Sequence, residues 1–202
     1  MTDLSIPVIE ERIRSNRPNG FEPGRQTRQA AVATILREQG AETEALFILR
    51  AQKVGDPWSG HMAFPGGHRD PEDGDLQQTA VRETREELNV DLDRHARLLG
   101  PLEHVKANPR GANIDMVVAP YVYVLEGEPE IIPNYEVADF HWGSLHKMFS
   151  GEALTSRDFQ VQGQTKSFPG YGVEGEIVWG LTYRVLDHFF NLIDPNWVRR
   201  DF

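Results

Sequence analysis

Glu83, Glu86 and Glu87 stand at i, i+3 and i+4 within Arg-Glu-Thr-Arg-Glu-Glu, residues 82–87. On an α-helix, at about 100° per residue, that spacing projects three carboxylates from one face. Like charges so placed destabilise a helix unless something positive neutralises them. Two neutralisers are available: Arg82, one turn before Glu86, and a bound cation. Hard divalent ions such as Mg²⁺ and Mn²⁺ take oxygen ligands, keep several waters and bridge carboxylates to substrate phosphates. For the string alone, the default is a solvated helix face stitched by i, i+4 ion pairs.

The surroundings of the string move the reading from the default to a metal site. Gly66 and Gly67 lie just upstream, where a backbone without Cβ brings a carbonyl close to a metal or packs tightly on the helix, so Gly67 joins the candidate ligands. Leu76, Ala80, Thr84 and Leu88 form an i, i+4 stripe, which predicts a helix over residues 76–88. Asp75 with Gln78 fits a capping box, and Asn89 suits a left-handed C-cap. The acids therefore fall late in the helix, where the dipole favours Lys or Arg. That misfit points to function.

Other elements must hold this loop and helix in place. Residues 29–36 and 45–49 read as buried strands joined by a polar turn, a hairpin, and residues 61–64 as a short strand ended by Pro-Gly-Gly. Further strands are predicted over 98–105, 116–125 and 140–142, and helices over 6–14 and 177–193. This order predicts an α+β sandwich with helices packed on a mixed sheet. Residues 1–28 read as an N-terminal arm, a packing extension or else a lid or dimer contact, and 29–202 as the body.

The chain has 202 residues, enough for one well-buried domain. Its net charge of -10 repels a nucleic-acid backbone, so no nucleic-acid partner is expected, whereas bound divalent metal would still admit a phosphate substrate. No apolar run reaches membrane-span length and residues 1–16 lack a signal core, which predicts a cytoplasmic protein with no membrane partner. The absence of cysteine excludes disulfides, thiolate zinc sites and thiol catalysis.

Arg82, Glu83, Glu86, Glu87 and Val90 resemble, in order, the box of the Nudix hydrolases, Gly-x5-Glu-x7-Arg-Glu-U-x-Glu-Glu-x-Gly-U, with U a bulky apolar residue. The box falls over residues 67–90. Gly74 replaces the family's early Glu and Asn89 its late Gly. The run from Phe64 to Glu83 is similar to a coenzyme A pyrophosphatase-like subgroup pattern, Phe-Pro-Gly-Gly-x-x-Asp-x-x-Asp-x6-Ala-U-Arg-Glu, through Asp70, Asp73, Ala80 and Val81. The subgroup's upstream signature is altered, with Trp58 at its His position and one residue more between Arg50 and Gly60.

The resemblance implies an α/β/α sandwich and attack of a metal-activated water on a nucleoside diphosphate linked to another group. Glu83 and Glu87 would bind Mg²⁺ or Mn²⁺, Glu86 would bind metal or orient water, and Arg82 would hold the glutamates by ion pairing. The implied partner is a small-molecule nucleotide, first coenzyme A or an acyl derivative, then ADP-ribose, NADH or a dinucleoside polyphosphate. A nucleotide-binding module without catalysis is the reading from another class. Glu136 is the candidate general base, ahead of His61 and His104. Arg50, the 106–110 loop, Tyr183 and Arg184 are candidate substrate contacts, while Trp179, Phe189 and Phe190 read as core. The two ends, including Trp197 and Phe202, would suit a homodimer contact.

Overall fold

The computed structural model describes residues 2–18, 27–56, 58–107, 115–161 and 164–198. It begins with helix Ile6–Ser15 (α1), followed by strands Arg28–Gln39 (β1) and Glu42–Arg50 (β2). These two form the expected hairpin, antiparallel from Leu36 opposite Ala45 to Gln39 opposite Glu42. Short strands Met62–Ala63 (β3) and Gly66–His68 (β4) lead to helix Leu76–Leu88 (α2), at the bounds the sequence predicts. Then come Leu92–His95 (α3), Ala96–Pro101 (β5), Val105–Ala107 (β6), Met116–Leu125 (β7) and Val137–Ser144 (β8). Leu145–Ser150 (α4), Leu154–Val161 (β9), Gln164–Val173 (β10), Glu176–Trp179 (β11) and Gly180–Ile193 (α5) complete the order.

Eight strands make one mixed sheet along the path β3-β2-β1-β7-β5, with β4 on β1, β6 on β7 and β8 on β2. The central pair, β1 and β7, is parallel. Because successive strand side chains point to opposite faces, neighbours along one strand serve different layers. Leu36, Ala45 and Phe47 join Ile9 and Ile13 of α1 and Leu186, Phe189 and Phe190 of α5. Ile35, Leu46 and Ile48 join Ala80 and Leu88 of α2 on the other face. Helices thus cover both faces, and the α+β sandwich expected from the element order is the observed fold.

Some elements differ from expectation. The strand predicted over 98–105 divides into β5, which ends at Pro101, and β6, which begins at Val105, both antiparallel to β7. The helix predicted from 177 starts at Gly180. Ile177 and Val178 instead pair with Gly172 and Tyr171 in a three-stranded sheet, β11-β10-β9, separate from the main one. Glu174 and Gly175, at φ 49° and 94°, turn that hairpin, and short apolar runs such as Ile177-Val178 fit helix and strand periodicity alike.

The N-terminal helix packs on its own chain by burying Ile6, Ile9 and Ile13. Trp197 likewise donates its indole N–H to the Phe149 carbonyl at 3.1 Å and packs on Phe190. Residues 19–26 of the N-terminal arm, residues 108–110 of the predicted substrate loop and Phe202 lie outside the described residues. Among the described residues no helix is long and apolar enough to cross a membrane.

Candidate active site

Strand β4 is held against β1, with Gly66 opposite Val32 and Gly67 opposite Ala31. Gly66 adopts φ +148°, and a Cβ there would lie 2.2 Å from the Ala31 carbonyl oxygen, so both conformation and space require glycine. Its N–H donates to Glu87 Oε2 at 2.8 Å. At Gly67 a Cβ would come within 2.5 Å of the Glu83 carboxylate. The glycine pair thus cradles two of the three glutamates, while Ala80 and Leu88 pack the opposite side of α2 into the core.

Burial separates the three acids. Glu87 is 2% exposed, and desolvation, together with the neighbouring Glu83 charge, pushes its carboxyl up to about 8 against the opposing Gly66 N–H. Burial also raises the Glu83 carboxyl, which Arg82 pulls back down. The Glu86 side chain stays 55% exposed.

Arg82 organises the cluster. Its Nε and Nη2 each donate to Asp73 at 3.0 Å, Nη2 also reaches the His68 carbonyl at 2.9 Å, and Nη1 meets Glu83 at 3.0 Å and Glu86 at 3.3 Å. Asp73 is 7% exposed and also accepts from the Thr79 hydroxyl at 2.8 Å and the Asp70 N–H at 3.0 Å. Such a two-pronged contact fixes the guanidinium as a point charge on Lys could not. Asp73 was visible in the sequence only as a motif position. Its bond to Arg82 spans nine residues and a loop, which no helical periodicity encodes.

The Arg82 guanidinium holds the Asp73 carboxyl well below the usual carboxylate range. A depressed acid contributes stability above its unfolded pKa that is lost as pH falls through the folded value. Asp73→Asn is therefore expected to lower unfolding free energy by about 1–3 kcal/mol at pH 7. That gap narrows as pH falls from about 5 toward 2. Denaturant titrations at pH 7, 5 and 3 check this, and a gap of constant size would place the effect outside the ionised carboxylate.

The segment before β8 closes the site. Ile132 and Asn134 donate their N–H groups to the carbonyls of Leu88 and Glu87 at 2.9 and 2.8 Å, satisfying exposed acceptors at the end of α2. The Ala51 N–H donates to the Glu136 carbonyl at 2.8 Å. Glu136 is thereby placed between the ends of β2 and α2, where its charge acts on Glu87 and its carboxylate lies 3.5 Å from Lys53 Nζ. Arg50, at the end of β2, donates to Asp56 at 2.7 Å, and its charge reaches both Glu87 and His61. Burial lowers His61 to about 4, leaving a neutral ring set edge-on to Trp179.

Tyr183 does not join this group. It is 3% exposed and packs on Tyr171, because α5 turns that face into the core. Arg184 donates to the Lys106 carbonyl at 2.8 Å, and His104 sits in the loop between β5 and β6. Phe189 and Phe190 are core as expected, whereas Trp179 is only half-buried.

With Arg82 Nη1 between Glu83 and Glu86, no three His, Cys, Asp or Glu groups converge on a metal position among the described residues. The donor set nevertheless fits a hard cation. Among the described residues, a carboxylate as buried as Glu87 has one N–H as its hydrogen-bond donor, a second glutamate beside it and only the more distant Arg50 charge to oppose it, with no cationic side chain bound as burial calls for. All available donors are oxygens, which suits Mg²⁺ or Mn²⁺.

A mixed sheet between helices, with a Gly-Gly strand set against a helix that carries clustered glutamates, defines the Nudix class of proteins. The chain matches the NUDIX domain over residues 26–163 and belongs to the Nudix family, whose enzymes generally use divalent metals. It is 31% identical over 134 residues to an uncharacterised Nudix hydrolase, NudL, of Yersinia pestis (strain Pestoides F), covering 64% of this chain and 63% of that one. It is 36% identical over 113 residues to an uncharacterised protein of Schizosaccharomyces pombe (strain 972), covering 54% of this chain and 34% of that protein. The match thus spans less than two thirds of either relative. Among solved structures, a MutT/nudix family protein from Enterococcus faecalis aligns over 94% of this chain and 70% of its own, at TM-score 0.55 and 16% identity. A C. elegans Ap4A hydrolase aligns over 61% of this chain and 85% of its own, at TM-score 0.52 and 22% identity. At those identities the likeness is one of fold.

Proposed function

We propose that this chain is a divalent-metal-dependent pyrophosphohydrolase that cleaves the phosphoanhydride of a nucleoside diphosphate linked to another group. The observation that carries the proposal is the buried Glu87 carboxylate, with Glu83 beside it across the Gly66-Gly67 cradle and no cationic side chain bound to it among the described residues. Glu83, Glu86, Glu87 and the Gly67 carbonyl would hold Mg²⁺ or Mn²⁺. When bound, the cation neutralises phosphate oxygens and acidifies water. Arg82, held by Asp73, keeps Glu83 and Glu86 in place.

Glu136 takes the proton of the attacking water as its oxygen bonds to phosphorus, and the anhydride P–O bond breaks with its electron pair on the leaving phosphate. Arg50 contacts the phosphate chain of the substrate. The subgroup pattern over Phe64 to Glu83 favours coenzyme A or an acyl derivative, cut to 3′,5′-ADP and a 4′-phosphopantetheine product, and the altered upstream signature at Trp58 keeps other nucleotides as alternatives. We assign the protein to the cytoplasm, with a homodimer as an open state of assembly.

The test is product release from coenzyme A, acetyl-coenzyme A, ADP-ribose, NADH, diadenosine polyphosphates and nucleoside triphosphates, with Mg²⁺ or Mn²⁺, beside Glu86→Gln. Release from the coenzyme A compounds, lost in the variant, supports both chemistry and substrate. Release from another member keeps the chemistry and discards coenzyme A. No release from any member under conditions where metal binds overturns the hydrolase reading in favour of a nucleotide-binding module.

A further inference from the structure

The three-stranded sheet carries a group of side chains that the hydrolytic site does not use. Its register places Arg157 opposite Phe168, Phe159 opposite Lys166, and Thr155 opposite Gly170, which itself faces Trp179. Side chains at these positions share one face. The opposite face buries Tyr171, Val173 and Val178 in the core. On the shared face Phe159 and Trp179 have ring centroids 4.5 Å apart, Phe168 lies 6.3 Å from Trp179, and the Arg157 guanidinium sits 5.5 Å from both the Phe159 and the Trp179 rings. A Cβ at Gly170 would lie 2.6 Å from the Val178 carbonyl oxygen, 2.8 Å from Ile177 Cγ2 and 3.2 Å from Trp179 Cβ, so the close approach of β11 to β10 requires glycine there.

Three further observations point to a ligand. The Trp179 indole N–H has no acceptor among the described residues. Arg157 and the exposed Lys166 put two cations on this face, with no acid at the named positions, in a chain of net charge -10. The platform also adjoins the segment that leads into the glycine cradle: the His61 ring meets Trp179 at 4.6 Å, β11 runs beside β3, and the Thr182 hydroxyl donates to the Met62 carbonyl at 3.3 Å. From Met62 the chain runs through Phe64 and Pro65 into the glycine cradle.

We propose that this face is the nucleoside-binding platform of the active site, where Trp179 and Phe159 stack a purine base and Arg157 and Lys166 pair with a phosphate on its ribose. Aromatic rings accept the face of any base, while a guanidinium already in contact with two rings is positioned both to stack and to pair with phosphate. An acidic chain needs such a local reversal of charge to retain the nucleoside end of its substrate. The NUDIX-domain match ends at residue 163, ahead of Phe168 and Trp179, so half of the platform lies beyond the segment that defines the family.

This inference rests on the hydrolase reading for its substrate class, and binding without metal separates the two. The probes are adenosine 3′,5′-bisphosphate and adenosine, titrated into the full chain in chelator by calorimetry and tryptophan fluorescence. Wild-type protein is expected to bind the bisphosphate with quenching. Trp179→Leu weakens both probes about tenfold or more and removes the quenching. Arg157→Ala, which leaves the rings in place, weakens the bisphosphate about tenfold and adenosine little.

In turnover of whichever nucleotide the panel identifies, both variants raise KM with kcat little changed. Active enzyme whose nucleotide affinity and KM are unaffected by Arg157→Ala and by Trp179→Leu overturns the platform and leaves the hydrolase standing. Binding with the stated variant pattern in a protein that hydrolyses nothing supports the platform and sinks the hydrolase. Absence of binding by the wild type to either probe overturns the platform as well.

Discussion

Glu87→Gln is expected to reduce metal-dependent hydrolysis by on the order of 100- to 1,000-fold, because a metal ligand contributes several kcal/mol to stabilising transition-state charge. The same change is expected to stabilise the metal-free protein. Gln keeps an acceptor for the Gly66 N–H and removes a carboxylate that is 2% exposed and has no cationic side chain bound to it among the described residues. Relieving that desolvation is worth about 1–3 kcal/mol at pH 8 to 9, where the wild-type group must ionise. For a chain of this length the gain corresponds to roughly 3–10 °C in Tm.

Scanning calorimetry of both proteins in chelator and with Mn²⁺ checks the pair of effects. Wild type should gain stability with metal and the variant should not. A variant that is inactive, no more stable without metal and still stabilised by Mn²⁺ would show that Glu87 is not the ligand that burial implies.

Gly66→Ala should be the most destabilising single methyl in the site. At φ +148° an L-residue is strained, and its Cβ would meet backbone, the Ala31 carbonyl at 2.2 Å and Val32 Cα at 2.6 Å, rather than a side chain that could turn away. Strain of about 1–3 kcal/mol and overpacking of similar size add to a loss of roughly 3–5 kcal/mol. Tm would fall by about 10 °C or more. Because the shift also displaces the N–H that binds Glu87, metal-induced stabilisation should weaken in whatever protein remains folded. Retained Tm and metal response would mean that β4 can leave β1 without cost.

Much of the site was legible because its signals are local. The bounds of α2 follow from its apolar stripe, and both caps are as the sequence implies: Asp75 accepts from the Gln78 N–H at 2.8 Å, and Asn89 is left-handed at φ 58°. In the expected capping box Gln78 returns to Asp75, whereas here its side chain accepts from the Gly74 N–H at 2.9 Å, a shift of one residue. The sheet was legible where strands are buried on both faces, as in β1 and β7, and illegible in β9 and β10, whose mixed polar sequences carry no strong period and of which β10 is exposed over residues 164–167.

Trp179 shows where residue type misleads. An aromatic beside an apolar helix reads as core, and only its pairing opposite Gly170 turns the ring outward to Arg157. Tyr183 is the converse, a ring with a polar handle that reads as a contact and packs on Tyr171.

By itself the sequence determined the elements whose periods are short, the layer order they imply, and the three glutamates on one helical face, since each depends on neighbours within a turn or two. Tertiary structure alone decided how those glutamates differ. Glu87 is buried by β4 and by the 132–136 segment, Glu83 lies on Gly67, and Glu86 remains in solvent. Charge and burial at a site depend on residues distant in the chain, Asp73 on Arg82 and Glu136 beside Glu87, and these meet only once the sheet has assembled.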